Sequence, residues 1–142
     1  MKLLTALTLI FLSGCQCYFD DLTNKYLEDT QKQLFLKAHN SKRKQKGLKP
    51  LVRNESLEER ASVWADYLAS YCHGAYYTTE KGHNENVAQA WGVRKTPIRE
   101  IVKEWDIKRD ALSLGCAVST CSDPATLAVS WFYVCHYKDW SY

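Results

Sequence analysis

Apolar residues follow two periods along this chain, a helical one through the first half and an alternating one in shorter stretches later. From about Asp20 to Lys46, Leu22, Tyr26, Leu34 and Ala38 predict one or two helices, with Gly47 and Pro50 as stop signals. Leu57, Ala61, Trp64, Leu68 and Tyr71 recur at helical spacing in a second segment, with Trp64 as its largest core anchor. Either Asn54 or Ser56 can cap that helix, Ser56 forming a capping box with Glu59. Thr96 followed by Pro97 opens a third helix, whose stripe is Ile98, Ile101, Val102 and Trp105.

The stretches 86–91, 114–119 and 127–137 are rich in β-branched and aromatic residues and bounded by turn formers, so they predict three strands. The last is apolar on both faces, with Val129, Trp131, Tyr133 and Cys135 on one and Phe132 and Val134 on the other. Such a strand belongs at the centre of a sheet covered on both sides. Asp123-Pro124 marks the turn that pairs the second and third strands antiparallel. Helices before and between strands predict an α/β sandwich.

The amino end has its own pattern: Lys2, an apolar run from Leu3 to Leu12, then Ser13-Gly14. This is the layout of a cleavable secretory signal peptide over residues 1–14, with cleavage as late as residue 17. The apolar run is too short to span a bilayer, so no stable membrane anchor is expected. Leu12-Ser13-Gly14-Cys15 also reads as a lipoprotein box. Residues 18–142 suffice for one domain and not for two.

Composition adds two constraints. The net charge of +3 falls to +2 without Lys2, a balance too mild to point to nucleic acid. Lys42, Arg43, Lys44 and Lys46 are expected to form a solvated helix end that complements the dipole. Six cysteines in an exported chain imply disulfides, and Cys72, Cys116, Cys121 and Cys135 permit three pairings. Cys15 and Cys17 lie at the signal boundary. Asn54-Glu55-Ser56 is a glycosylation sequon.

Ala38-His39-Asn40 with Arg43, Trp64-Ala65 through Cys72-His73, Asn84-Glu85-Asn86-Val87-Ala88, Leu114-Gly115-Cys116-Ala117 and Val134-Cys135-His136-Tyr137 occur in the order of one family. Together they resemble the CAP superfamily of cysteine-rich secretory proteins, antigen 5, pathogenesis-related proteins and venom allergen-like (SCP/TAPS) proteins. The resemblance covers roughly residues 34–137, with asparagine at position 84 where glycine is usual and histidine at 136 where asparagine is common. It implies an α-β-α sandwich with a small antiparallel central sheet, bridged Cys72–Cys116 and Cys121–Cys135. The family's His-Phe-Thr-Gln segment is missing, so one helix is expected to be absent.

The family's cleft carries two histidines and two glutamates able to hold a divalent metal. Here His73 matches the first histidine and Glu85 the first glutamate, while Lys108 stands where the second glutamate belongs and the second histidine is lost with its segment. A zinc site needs at least three protein ligands, for which His73, His83 and Glu85 are the candidates. The expected arrangement is instead metal-free, with His73 bonded to Glu85 and Lys108 paired with the remnant carboxylate. His39 is expected to be structural, His136 to lie at the sheet surface, and Tyr137, Trp140 and Tyr142 to cover an edge. No activated nucleophile is apparent, Ser113 and Ser130 being the serines considered.

These readings converge on a secreted, extracellular, non-enzymatic domain without a cofactor that acts by binding an extracellular protein. Host interaction or immune modulation is the expectation if the source is a parasite or a venomous animal. The alternative is a carrier of a small lipid, a fatty acid or sterol, although the family's sterol loop falls in the interval shortened to 106–113. A zinc-dependent hydrolase would need ligands this chain lacks.

Overall fold

The computed structural model describes residues 4–72, 84–92, 94–126 and 128–139, with side chains from residue 24 onward. The side chains of Cys15 and Cys17, and residues His73, His83, Trp140 and Tyr142, lie outside this set. The chain divides into two compact units, Met1–Thr30 and Gln31–Tyr142. No helix among the described residues is long and apolar enough to cross a membrane.

Helix α1 spans Leu4–Gln45, a single helix that starts earlier than the apolar period predicts. It ends where Gly47 takes φ 67°. There the Gly47 N–H reaches the Lys44 carbonyl at 3.1 Å and the Leu48 N–H reaches Arg43 at 3.0 Å, which closes a Schellman cap. The buried stripe is not the expected one. Phe35, His39 and Arg43 face the core, whereas Leu34 and Tyr26 are exposed. Two polar residues on the inner face displaced the hydrophobic reading, and each is satisfied there by hydrogen bonds.

Helix α2 covers Glu55–Ser70, with Asn54 as its N-cap, its side-chain oxygen accepting from the Leu57 N–H at 3.1 Å. Asn54 therefore caps the helix in place of Ser56. The core face is Leu57, Glu58, Ala61, Ala65, Leu68 and Ala69. Trp64 is only half-buried and Tyr71 is exposed, so small residues, not Trp64, anchor this helix. They let α2 lie close on the sheet. A Cβ on Gly115 would come within 2.0 Å of the Glu58 backbone nitrogen, so this glycine is required by close approach. Glu58, buried at that crossing, is held by Arg53 through bonds of 2.6 and 3.1 Å.

Helix α3 is short, Ile98–Glu104, with Pro97 at the N-cap position and no side-chain cap, so Thr96 does not cap it. Strands β1 (Val52–Arg53), β2 (Glu85–Gly92), β3 (Ser113–Ser122) and β4 (Val129–Lys138) form one sheet in the order β1-β3-β4-β2. The three long strands pair antiparallel, and the two-residue β1 adds a parallel edge beside β3, so the sheet is mixed. Asn40 reinforces that edge, its amide bonding both the N–H and the carbonyl of Leu51.

The central strand β4 is apolar on both faces as predicted. Trp131, Tyr133, Cys135 and Tyr137 join Phe35, Val102 and Trp105 in one core, while Phe132 and Val134 join Ala61, Ala65 and Leu68 in the other. The result is an α-β-α sandwich, α1 and α3 on one face and α2 on the other. The Tyr137 N–H donates to the Asn84 carbonyl at 2.8 Å. Odd-numbered β4 residues thus direct their backbone groups toward β2, and even-numbered ones toward β3.

This pleat corrects the disulfide pairing. The bridges are Cys72–Cys121 and Cys116–Cys135, not Cys72–Cys116 and Cys121–Cys135. Cys116 and Cys121 are five residues apart on β3 and so point to opposite faces. Cys116 directly opposes Cys135, Cα atoms 4.1 Å apart, in a non-hydrogen-bonded pair on the α1 face. Cys121 lies on the α2 face, within reach of Cys72 just beyond the end of α2.

Candidate functional site

The Asn-Glu-Asn-Val-Ala segment enters β2 at Glu85, directly opposite His136 of β4. Both side chains point to the α2 face, where His136 Nε2 and Glu85 Oε2 lie 2.8 Å apart, each largely buried. Among the described residues the buried His136 Nδ1 has no hydrogen-bond partner. Above this pair, Glu59, Arg60, Val63, Trp64 and Tyr67 of α2 form the wall of an open groove of about 550 Å³. Trp64 stacks on Tyr67 at 5.1 Å, and Tyr67 meets Tyr71 edge-on at 5.1 Å, giving an aromatic ladder along the outside of the helix. Val63, Tyr67 and Tyr71 are each at least half exposed.

Of the expected cleft residues, Glu85 lies in this groove, and His73 and His83 fall outside the described residues. Glu85 pairs with His136, for which the sequence predicts only a place at the sheet surface. The departure at position 136, histidine for asparagine, was the available signal, but only the register of β2 on β4 makes it a partner of Glu85. Lys108 is not that partner. It lines a small cavity of about 10 Å³ with His39, Lys42, Trp105 and Tyr137 on the opposite side of the sheet. Glu85 and His136 supply two of the at least three protein ligands that a zinc site needs. Among the described residues no group of three or more His, Cys, Asp or Glu side chains converges.

On the α1 face, a chain of hydrogen bonds fixes the shortened connection between α3 and β3. The His39 Nδ1–H donates to the Phe35 carbonyl at 2.8 Å, so Nε2 accepts from the Tyr137 hydroxyl at 2.7 Å. The Tyr137 oxygen accepts from Asn86 Nδ2 at 3.0 Å, and that amide also donates to the Asp106 carbonyl. Burial, with help from Lys42 and Arg43, pushes the His39 pKa down to about 4 against the backbone bond to Phe35. Burial likewise raises Tyr137 above the ordinary phenol range, so the ring stays protonated.

The basic cluster is correspondingly not all solvated. Arg43 is 4% exposed and donates to the carbonyls of Lys49, Lys108, Arg109 and Ala111. Lys42 donates to those of Val102, Lys103 and Trp105, covering the end of α3. Arg43 thereby satisfies the carbonyls of a loop that has no helix or strand of its own, and Lys42 those at the end of α3. Lys44 and Lys46 remain exposed. The side-chain oxygen of Asn54 is engaged in capping α2, which leaves its nitrogen as the end where a glycan would attach.

The family model for the cysteine-rich secretory protein family, CAP, matches residues 36–137. A curated relative, fruiting body protein SC7 of Schizophyllum commune, is 27% identical over 126 residues, a match covering 72% of this chain. The chain spans 61% of that relative's length. The crystal structure of MpPR-1i superposes with a TM-score of 0.54 at 20% identity, covering 78% of this chain and 87% of that one. A crystal of MpPR-1i soaked with selenourea gives 0.50 at 18% identity, covering 80% and 98%. At these identities the two structures speak to the fold, and they agree with the α-β-α sandwich. Ordered motifs, fold and family model together establish that this chain belongs to the CAP family of extracellular-type, cysteine-rich secretory proteins.

Proposed function

We propose that this chain is a secreted, non-enzymatic binding domain that engages an extracellular protein through the α2 groove. The observation that carries this reading is the exposed ladder Trp64–Tyr67–Tyr71, set beside Val63 and rimmed by Glu59 and Arg60. Tyrosine and tryptophan offer large, amphipathic contact area at low entropic cost, and interface centres are enriched in them. The ladder stands on a helix packed against a disulfide-bonded sheet, so the surface is already organised before binding.

Two observations support a role without catalysis. Among the described residues no hydroxyl or thiol bonds His136 Nδ1. The four described cysteines are consumed in bridges. Ser130 lies six residues from His136 on the same strand, roughly 20 Å away. The cavity between α1 and α3, one place where a lipid chain could lie between helices, has room for about one water.

The test pairs native mass spectrometry of the secreted protein with affinity capture from extracellular fluid, comparing wild type with the Val63→Glu/Tyr67→Glu variant. A protein retained by the wild type and lost by the variant supports the reading. A lipid-sized adduct with no protein retained overturns it in favour of the carrier.

A further inference from the structure

The corner where α1 ends gathers positive charge from two segments far apart in sequence. Buried Arg43 is its hub. The guanidinium binds the carbonyls of Lys49, Lys108 and Arg109, so the side chains of those three residues leave from one knot of backbone. Lys44 and Lys46 stand in the turn that closes α1 beside it. Lys44, Lys46, Lys49 and Arg109 are exposed and Lys108 is half-buried, so most of this charge faces solvent. Among the described residues none of the five side chains is held in an ion pair. The fold uses Lys49, Lys108 and Arg109 only through their carbonyls, and any side chain would serve it equally well there.

We propose that this corner binds a sulfated polysaccharide, the cations of the 44–49 turn and of the 108–109 loop holding successive sulfate groups of one chain. Charge complementarity names the occupant. Beneath the five side chains lie two more cations, Lys42 and Arg43, while the nearby carboxylates are Asp106, Asp110 and Asp139 along the adjoining groove. The end of α1 offers only about half an elementary negative charge to offset them. Gathering like charges costs self-repulsion, which a bound anion relieves. Five cations on two segments exceed what one small anion can neutralise, so repeated anionic groups on a linear chain fit better. An arginine fork takes two oxygens of a tetrahedral anion and the lysines act as point charges beside it. The family is one of secretory proteins, which places the polyanion outside the cell and makes it a sulfated sugar chain in preference to a nucleic acid. The corner lies on the α1 side of the sheet, so this binding is separate from that of the α2 ladder.

Anisotropy of a labelled heparin oligosaccharide titrated with the disulfide-intact protein tests this. The wild type should bind saturably at about 0.15 M salt, with log K falling against log salt by about one unit for each cation engaged. Lys49→Ser/Arg109→Ser takes one exposed cation from each segment and leaves the carbonyl bonds to Arg43 in place. It should lose at least about tenfold in affinity and about two units of that slope. Arg94→Ser/Arg99→Ser removes the same net charge away from the corner and should change affinity by less than about threefold. The exchange Lys49→Arg/Arg109→Lys, which keeps the charge, should bind like the wild type, which separates lost charge from lost fold. Hyaluronan, which carries carboxylates and no sulfate, should bind at least about tenfold more weakly than heparin. A wild type that does not bind heparin at about 0.15 M salt, or two serine variants that weaken it equally, overturns the proposal. Hyaluronan binding as tight as heparin overturns the sulfate. Vesicles of phosphatidylserine and phosphatidylcholine that bind the wild type more tightly than heparin, and not Lys49→Ser/Arg109→Ser, would assign the corner to a membrane surface and overturn the polysaccharide.

Discussion

Acid should unfold this protein through His39. The imidazole is buried and neutral, with Nδ1–H committed to the Phe35 carbonyl and Nε2 accepting from Tyr137. A second proton on Nε2 would face the Tyr137 hydroxyl proton, and the adjacent Lys42 and Arg43 would repel it. In the unfolded chain the ring titrates near its ordinary 6.5, and in the native state near 4. Between these values the unfolded state binds the extra proton. The stabilising effect is therefore complete above about pH 6.5 and is lost as pH falls toward and through 4. A difference of about 2.5 pKa units corresponds to about 3 kcal/mol, with a slope near 1.4 kcal/mol per pH unit around pH 5. That is a large part of the net stability of a small domain. Urea unfolding followed by tryptophan fluorescence at pH 7, 6, 5 and 4 measures it, with His39→Gln as the comparison because glutamine does not titrate. Ionisable groups other than residue 39 are common to both proteins and cancel in the difference. The wild type should lose its advantage over the variant by about 3 kcal/mol from pH 7 to pH 4. A stability difference that stays constant across that range would refute the assignment of His39 as the acid-sensitive group.

Other expectations follow from the packing. Gly115→Ala should destabilise by at least about 3 kcal/mol by denaturant titration, because the new methyl meets the α2 backbone and not a movable side chain. Non-reducing peptide mapping should recover Cys72–Cys121 and Cys116–Cys135. The two bridges span sequence separations of 49 and 19 residues, so removing them should cost about 4 and 3 kcal/mol respectively on the chain-entropy account. Arg43→Ala should leave the carbonyls of Lys108 and Ala111 unsatisfied, lower stability by about 3 kcal/mol and open the 106–112 loop to limited proteolysis. Arg43→Lys should not restore it, since an ammonium cannot reproduce the guanidinium fork. Arg53→Ala should cost a few kcal/mol in the same assay by weakening the pairing of the buried Glu58.

The site was legible only where local pattern carried it. Glu85 could be found because its segment resembles a family motif, and α2 because small and apolar residues recur at helical spacing. His136 was missed as its partner because 51 residues separate the two, and nothing local announces the pairing. Arg43 was read as solvated because arginine next to lysines near a helix end ordinarily is. Its guanidinium is buried because carbonyls about 65 residues away need donors. The five-residue spacing of Cys116 and Cys121 places them on opposite faces of one strand, but only the position of α2 and the register of β3 on β4 show which of them meets Cys72 and which meets Cys135.

The sequence alone determined the family, the class of fold, the central position of β4 and the stops at Gly47 and Asp123-Pro124. These are properties of periodicity, turn chemistry and motif order, each written within a short stretch of chain. Tertiary structure decided which polar residues are buried, how the cysteines pair and that Glu85 meets His136. It also placed the aromatic ladder of α2 on the surface while smaller residues filled the core. Those outcomes depend on strand register and helix–sheet distance. Both are set by contacts between distant segments, and a one-residue shift in strand register alone would send every side chain of the strand to the other face.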